Sequence, residues 1–342
     1  LMTQGQIEAL ENHASKELKN LYLPNLISGK WSGTMNLTEE HAGSDVGALK
    51  TSAIVENDGA YSITGRKIFI SWGDHDLTEN ICHLVLARLP DSLPGTKGIS
   101  LFLVPKYLLD KKGRPDKKNN VEIISIEQKM GLHGSPTAVI DYQGAKGWMV
   151  GEPNKGMSAM FTMMNNARLG VALEGVSQAE LSFQLALNYA RNRKQGNTMF
   201  KEGTGNIIDH ADVRRNLIVM KSLTFVARAI CLDTAISADL SKNFGLKELG
   251  ARAAFLTPIA KAFCTNIGCR VSDLGIQIHG GLGYIEASGA AQLYRDVRIT
   301  AIYEGTNGIQ AIDLVNRKLS DGGKAAIELI RDLEVSEQQI EE

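Results

Sequence analysis

Pro153-Asn154-Lys155-Gly156 divides the sequence into two textures, and the division decides the fold. Proline, asparagine and glycine in close succession end one regular element before the next begins. On the N-terminal side, from Trp31 to about Val150, lie short β-rich runs: Ala60-Tyr61-Ser62-Ile63-Thr64-Gly65, Lys67-Ile68-Phe69-Ile70-Ser71, His83-Leu84-Val85-Leu86-Ala87 and Ile99-Ser100-Leu101-Phe102-Leu103-Val104. Asn57-Asp58-Gly59, Pro94-Gly95 and Lys112-Gly113-Arg114-Pro115 separate them as turns, so a compact β-barrel or sandwich is expected. On the C-terminal side the pattern is helical over about Met157 to Arg191, Ile208 to Leu240, Leu246 to Ile278 and Gly308 to Leu319. Long helices with few breaks predict an antiparallel four-helix bundle. The stripe Met157, Met160, Met163 and Met164 fits one apolar face of the first helix and reads as core. Upstream of the β region, Ile7, Leu10, Ala14, Leu18 and Leu21 predict one helix over Gln6 to Leu21, too little to close a core alone. The fold class is α+β.

At 342 residues, 43% hydrophobic and 22% charged, the chain can fill two or so globular domains. A formal net charge of -1 gives no general attraction for nucleic acid or an anionic membrane, so phosphate binding must be local. Cys82, Cys231, Cys264 and Cys269 have no zinc-knuckle spacing and read as reduced, packed thiols, and no metal site is expected. No apolar stretch is as long as a membrane span and no charged leader precedes an apolar core. A cytosolic or matrix-like location is expected, although the start Leu1-Met2-Thr3 suggests an internal fragment whose leader would be out of view. The polar run Lys111 to Lys118 sits where two strands would be joined and is expected to be a solvated hairpin tip.

Three stretches put functional-looking residues where elements start or stop. In Leu37-Thr38-Glu39-Glu40-His41-Ala42-Gly43-Ser44-Asp45, small residues and hydroxyls let backbone N–H groups approach a phosphate or a planar heterocycle. Gln277-Ile278-His279-Gly280-Gly281-Leu282-Gly283-Tyr284 closes a long helix with glycines. In Ile302-Tyr303-Glu304-Gly305-Thr306-Asn307-Gly308-Ile309-Gln310, one carboxylate stands between an aromatic and a glycine before a helix start.

Taken in order, with Phe69-Ile70-Ser71, Arg168 and Arg193-Lys194 between them, these stretches resemble the acyl-CoA dehydrogenase family from about Thr34 to Lys318. The wording around Gly281-Leu282-Gly283-Tyr284 and Tyr303 to Ala311 looks most like the long bacterial branch that includes methylthiopropionyl-CoA dehydrogenases. The resemblance implies a central β-barrel followed by a C-terminal four-helix bundle, with the family's N-terminal helical domain largely absent. Residues 1–30 would be its remnant, 31–150 the barrel, 151–320 the bundle, and 321–342 a tail that could begin an extra helical region.

The implied activity is FAD-dependent dehydrogenation of an acyl-CoA thioester to a trans-2-enoyl-CoA, a step of fatty-acid β-oxidation. Glu304 matches the glutamate that removes the α-proton while hydride passes to flavin N5, a role that needs an apolar site to raise the carboxyl pKa. Similarity carries Leu37, Thr38, Gly43 and Ser44 to the isoalloxazine and ribityl-phosphate side of FAD, and Phe69, Ile70 and Ser71 to the strand at the flavin edge. Arg193 would meet the pyrophosphate of a neighbouring subunit's FAD, with Gln277, Gly280 and Gly281 along its adenosine half and Thr306 beside the base. Substrate contacts would come from Ser44, Arg168, Tyr303 and Gly305, with Arg168 like the arginine that closes the first bundle helix. An electron-transfer flavoprotein is the implied acceptor and a homodimer or homotetramer the implied assembly, with no nucleic acid or membrane partner.

Glu40-His41 replaces the usual proline and its successor, which predicts a less rigid loop. Phe69 and Ser71 stand where tryptophan and threonine are common, keeping an aromatic and a hydroxyl. Two other activities stay open at this point. One is a DNA-associating flavoprotein of the alkylation-response type, against which the lack of a basic stripe counts; the other is an acyl-CoA oxidase, which passes electrons to oxygen.

Overall fold

The computed structural model describes residues 2–198 and 205–341, so Leu1 and Glu342, the outer ends of the expected first and last segments, lie outside the described residues. The chain forms two compact units, Leu1–Ala167 and Arg168–Glu342.

The first unit opens with α1 (Met2–His13) and α2 (Lys16–Ile27). The single helix expected over Gln6 to Leu21 is thus two. Ser15 interrupts it, because its hydroxyl accepts the Leu18 N–H (3.3 Å) and caps α2. The break resets the buried face: Tyr22 and Leu26 are buried while Leu21 faces solvent. Among the described residues nine strands follow: β1 (Trp31–Asn36), β2 (Ser52–Val55), β3 (Tyr61–Ser71), β4 (Asn80–Arg88), β5 (Ile99–Pro105), β6 (Tyr107–Leu109), β7 (Pro115–Lys118), β8 (Val121–Ile126) and β9 (Thr137–Val150). The order β4-β2-β3-β9-β5 returns to β4 through the β4–β5 pairing, so the sheet closes into a barrel, with β1 added on β4 and β8 on β9. The polar run 111–118 lies in the β6–β7 hairpin, as expected.

β4 and β5 read as continuous apolar runs because both of their faces are covered. Cys82, Leu84, Leu86, Leu101 and Leu103 pack in a layer with Leu10, Leu18, Tyr22 and Trp31. Their alternates Val85, Ala87, Phe102 and Val104 fill the barrel with Ile63, Ile70, Ile140 and Tyr142. Met160, Met163 and Met164, at the start of α3 (Gly156–Asn192), belong to the first of these layers, so the methionine stripe is core.

In the second unit the rest of α3 packs with α4 (Ala211–Phe244) and α5 (Lys247–His279), followed by α6 (Ala290–Val297), α7 (Asn307–Asp313) with a π turn over Leu314–Lys318, and α8 (Lys324–Glu341). The core is small-residue rich: Ala172, Ala179, Ala186, Ala227, Ala260 and Cys264 lie between the three long helices. α3 and α5 meet backbone to backbone at Gly175, where an added Cβ would sit 2.5 Å from the Cys264 carbonyl oxygen. The cysteines are free, and no helix among the described residues is long and apolar enough to cross a membrane.

Candidate active site

In the first unit, the loop 37–45 is fastened to β3. Ile68 donates its N–H to the Thr38 carbonyl (2.9 Å), and Lys67 Nζ donates to the Leu37 carbonyl (2.9 Å) and to Glu39 Oε1 (2.9 Å). Glu39 also accepts from the Lys50 and Thr51 N–H groups and the Thr51 hydroxyl. Burial alone would raise the Glu39 carboxyl, but Lys67 and these donors hold it at about 2; burial pushes Lys67 down to about 8 against the pull of Glu39. Where Glu40-His41 stands in place of the proline and its successor, other contacts fasten the loop. Paired bonds between Glu39 and Ala42 close the turn, and the buried Lys67–Glu39 ion pair ties it to β3.

This anchoring displays the predicted flavin residues unequally. Gly43 and Ser44 are exposed, and a Cβ on Gly43 would meet nothing within 4 Å. Leu37, Thr38 and Ser71 are half-buried. A register shift between Lys67 and Ile70 bulges β3, where Phe69 sits at φ 61 and is 60% exposed. Such strain in a non-glycine residue is retained where the surroundings impose it, commonly at ligand sites. Ile70 differs from expectation: its side chain is in the barrel core, leaving only its backbone for a cofactor contact.

The second unit builds its site around Glu304, whose backbone is also left-handed (φ 55), followed by Gly305 at φ 82. The double turn is held from below. Gln310 Nε2 donates to the carbonyls of Glu304 (3.1 Å) and Gly305 (3.2 Å), and Lys261 Nζ, fully buried on α5, donates to Gly305 O (2.8 Å) and Asn307 Oδ1 (3.0 Å). Thr306 caps α7 by accepting the Ile309 N–H (3.2 Å), which leaves its own proton to donate. Glu304 Oε2 is shut from solvent without a hydrogen-bond partner. Burial raises this carboxyl to about 7; Arg168 and Lys261 draw it down and Glu174 pushes it further up.

Arg168 does not close α3, which continues to Asn192; it is buried, with Nη1 donating to Asp313 Oδ2 (2.8 Å) beside Arg317. The Tyr303 hydroxyl donates to Glu174, a half-buried carboxyl that burial pushes up. The structure therefore collects Glu304, Arg168, Tyr303, Gly305 and Thr306 in one place. Arg193, Gln277, Gly280 and Gly281 form a separate group, all exposed, at the C-terminal ends of α3 and α5. The two ends are tied by Tyr189 stacked on His279 (4.4 Å), with the Tyr189 carbonyl accepting the Arg193 N–H.

The sequence reading missed Lys67, Glu174, Lys261, Gln310 and Asp313. Lys261 leaves one signal, a lone cation inside the apolar run Ile259-Ala260-Lys261-Ala262-Phe263. Among the described residues, no group of three or more His, Cys, Asp and Glu could hold a metal ion.

Family models for the middle and C-terminal domains of acyl-CoA dehydrogenase match residues 34–145 and 154–319. The chain is 31% identical to an acyl-CoA dehydrogenase of Bacillus subtilis, over 90% of this chain and 73% of that protein. It belongs to the acyl-CoA dehydrogenase family. Members of the acyl-CoA dehydrogenase family are FAD-dependent flavoproteins. A 3-methylmercaptopropionyl-CoA dehydrogenase of Ruegeria pomeroyi is 48% identical over 95% of this chain, in keeping with the long bacterial branch. The chain spans 56% of that relative's length. The butyryl-CoA dehydrogenase of Megasphaera elsdenii superposes with a TM-score of 0.77 at 27% identity, covering 92% of this chain and 74% of the other. Within the first unit, the open backbone at Gly43, where a Cβ would meet nothing within 4 Å, and the exposed Phe69 fit the approach of a planar group; within the second, Gly280 and Gly281 are equally open and fit the approach of a phosphate-bearing arm.

Proposed function

We propose that this chain carries the catalytic core of an FAD-dependent acyl-CoA dehydrogenase, with Glu304 as the base for the substrate's α-proton. The observation that carries the reading is the Glu304 carboxyl: sealed at Oε2, unpartnered, raised to about 7, and held on a strained turn. A carboxyl with its pKa near the working pH can take a proton and later release it, and an unpartnered oxygen has no bond to break before it does so. FAD, when bound, supplies the acceptor for the hydride leaving the β-carbon. Leu37, Thr38, Gly43, Ser44, Phe69, the Ile70 backbone and Ser71 would hold the flavin and ribityl side; Arg193, Gln277, Gly280 and Gly281 would hold the pyrophosphate and adenosine side of a neighbouring subunit's FAD; and Thr306 would donate its hydroxyl proton beside Glu304.

The thioester carbonyl would accept from the Glu304 N–H, which acidifies the α C–H. Ser44, Tyr303 and Gly305 would border the acyl group, and Arg168, paired with Asp313, would act through its charge rather than by touching substrate. In this reading residues 31–150 are the barrel domain and 151–320 the bundle domain. An electron-transfer flavoprotein as acceptor, a homodimer or homotetramer and a bacterial cytoplasmic location complete the proposal, the last supported by the free thiols.

The test is anaerobic titration of the FAD-loaded protein with acyl-CoAs of several chain lengths. Bleaching of the oxidised flavin band by the wild type, and its loss in a Glu304→Gln variant that keeps FAD, is the expected result. Undiminished bleaching in the variant would remove Glu304 from the role.

A further inference from the structure

Lys261 is a primary amine with no solvent exposure, on a helix whose neighbouring positions are Ala260 and Ala262. A buried ammonium costs several kcal/mol unless its protons are well used, and two of them go to the same short segment: the Gly305 carbonyl and the Asn307 side chain. That segment is the turn whose left-handed residues, Glu304 and Gly305, aim the carboxyl. Asn307 is itself fixed, with Nδ2 donating to Asn266 Oδ1 (2.8 Å) and Thr265 Oγ1 (3.1 Å).

We infer that Lys261 is a positioning residue for the base: its ammonium clamps the turn from α5, setting the direction of the Glu304 side chain, and its charge favours the carboxylate over the acid. The inference rests on the reading of Glu304 as the base and deepens it. Other charged groups face Glu304. From α3 come Arg168, a second cation already bound to Asp313, and Glu174, an anion engaged by Tyr303. Beyond Asp313 lie Arg317 and Lys318. Both cations draw the Glu304 carboxyl down, Arg168 more than Lys261; Arg168 has a carboxylate of its own in Asp313, whereas Lys261 donates to the neutral oxygens of Gly305 and Asn307.

The test uses the full chain with FAD and three variants. Lys261→Gln keeps a donor and removes the charge, Lys261→Met removes both and fills the volume, and Lys261→Arg keeps the charge. Each is paired with its Glu304→Gln double variant, and the pH dependence of the stability difference within each pair gives the Glu304 titration midpoint without reference to turnover. The midpoint is expected to rise by about one pH unit in Lys261→Gln and Lys261→Met and to stay near wild type in Lys261→Arg. The acidic limb of flavin reduction should move with it, a roughly tenfold loss of rate below the limb and none above it. An unmoved midpoint in both neutral variants, or failure of both to fold while Lys261→Arg folds, would assign the lysine to stability alone and overturn the inference. Retained flavin reduction in Glu304→Gln would instead sink the base assignment, leaving a shifted midpoint as support for the link between Lys261 and Glu304.

Discussion

Glu304→Gln should stabilise the fold, and only above a particular pH. The carboxyl rises from its ordinary 4.5 to about 7 on folding, and each unit is worth about 1.4 kcal/mol, so ionising it in place costs the native state about 3 kcal/mol. The sign follows from proton counts. Between about pH 4.5 and 7 the unfolded chain has released this proton and the folded chain still holds it, so wild-type stability falls as pH rises through that window. Glutamine, nearly the same shape and never charged, escapes the loss. The two proteins should be within about 1 kcal/mol at pH 5, about 2 apart at pH 6 and about 3 apart at pH 8, with the variant more stable. Urea unfolding at closely spaced pH values, read as the wild-type-minus-variant difference, measures this directly. A difference independent of pH, or a wild type more stable at pH 8, would mean that the carboxylate is solvated or paired, and the case for a poised base would fail with it.

Glu39→Gln should cost about 3–5 kcal/mol near neutral pH, because it leaves the buried Lys67 ammonium without its counter-charge; urea unfolding checks this, and FAD content should drop as the loop 37–45 loosens. In the wild type the same carboxyl, held at about 2, contributes stability that is present above about pH 4.5 and is lost as pH falls towards 2, which acid titration of tryptophan fluorescence would follow. Gly305→Ala meets both a left-handed backbone and a Gln310 Nε2 atom 2.9 Å from the new Cβ, so a loss of about 1–3 kcal/mol in thermal unfolding is expected, with a disproportionate fall in flavin reduction. Phe69→Ala removes an exposed ring and should change stability by no more than about 0.5 kcal/mol while raising the FAD dissociation constant, measured by flavin fluorescence.

How far the sequence was legible depends on whether the controlling neighbours were close along the chain. The barrel strands and the three long helices follow from short-range periodicity, and β4 and β5 even disclose their double burial, since only a strand covered on both faces carries an unbroken apolar run. The break at Ser15 escaped because the apolar spacing from Leu10 to Leu18 continues across it, and a serine hydroxyl that caps a helix looks no different in a sequence from one that faces water. Glu304 stands out because Tyr-Glu-Gly-Thr is a local pattern; the groups that make its carboxyl poised are not local.

Arg168, Glu174 and Lys261 come from two other helices, and no local spacing ties any of them to Glu304. The same is true of the flavin loop. Thr38 to Asp45 announces itself by its small residues, yet what holds it is Glu39 reaching Lys67 on β3, a pairing that exists only after the barrel closes. In both places the visible motif is a short local pattern and the invisible part is a buried amine, Lys67 or Lys261, that binds backbone carbonyls of the motif itself. A lysine is suited to this work because its stem spans the packed layer while its three donors reach more than one acceptor at the far end. A lone lysine within an apolar run is therefore the sequence feature to follow when a strained functional turn has no visible support, since an ammonium placed there must find carbonyls or carboxylates to be buried at all.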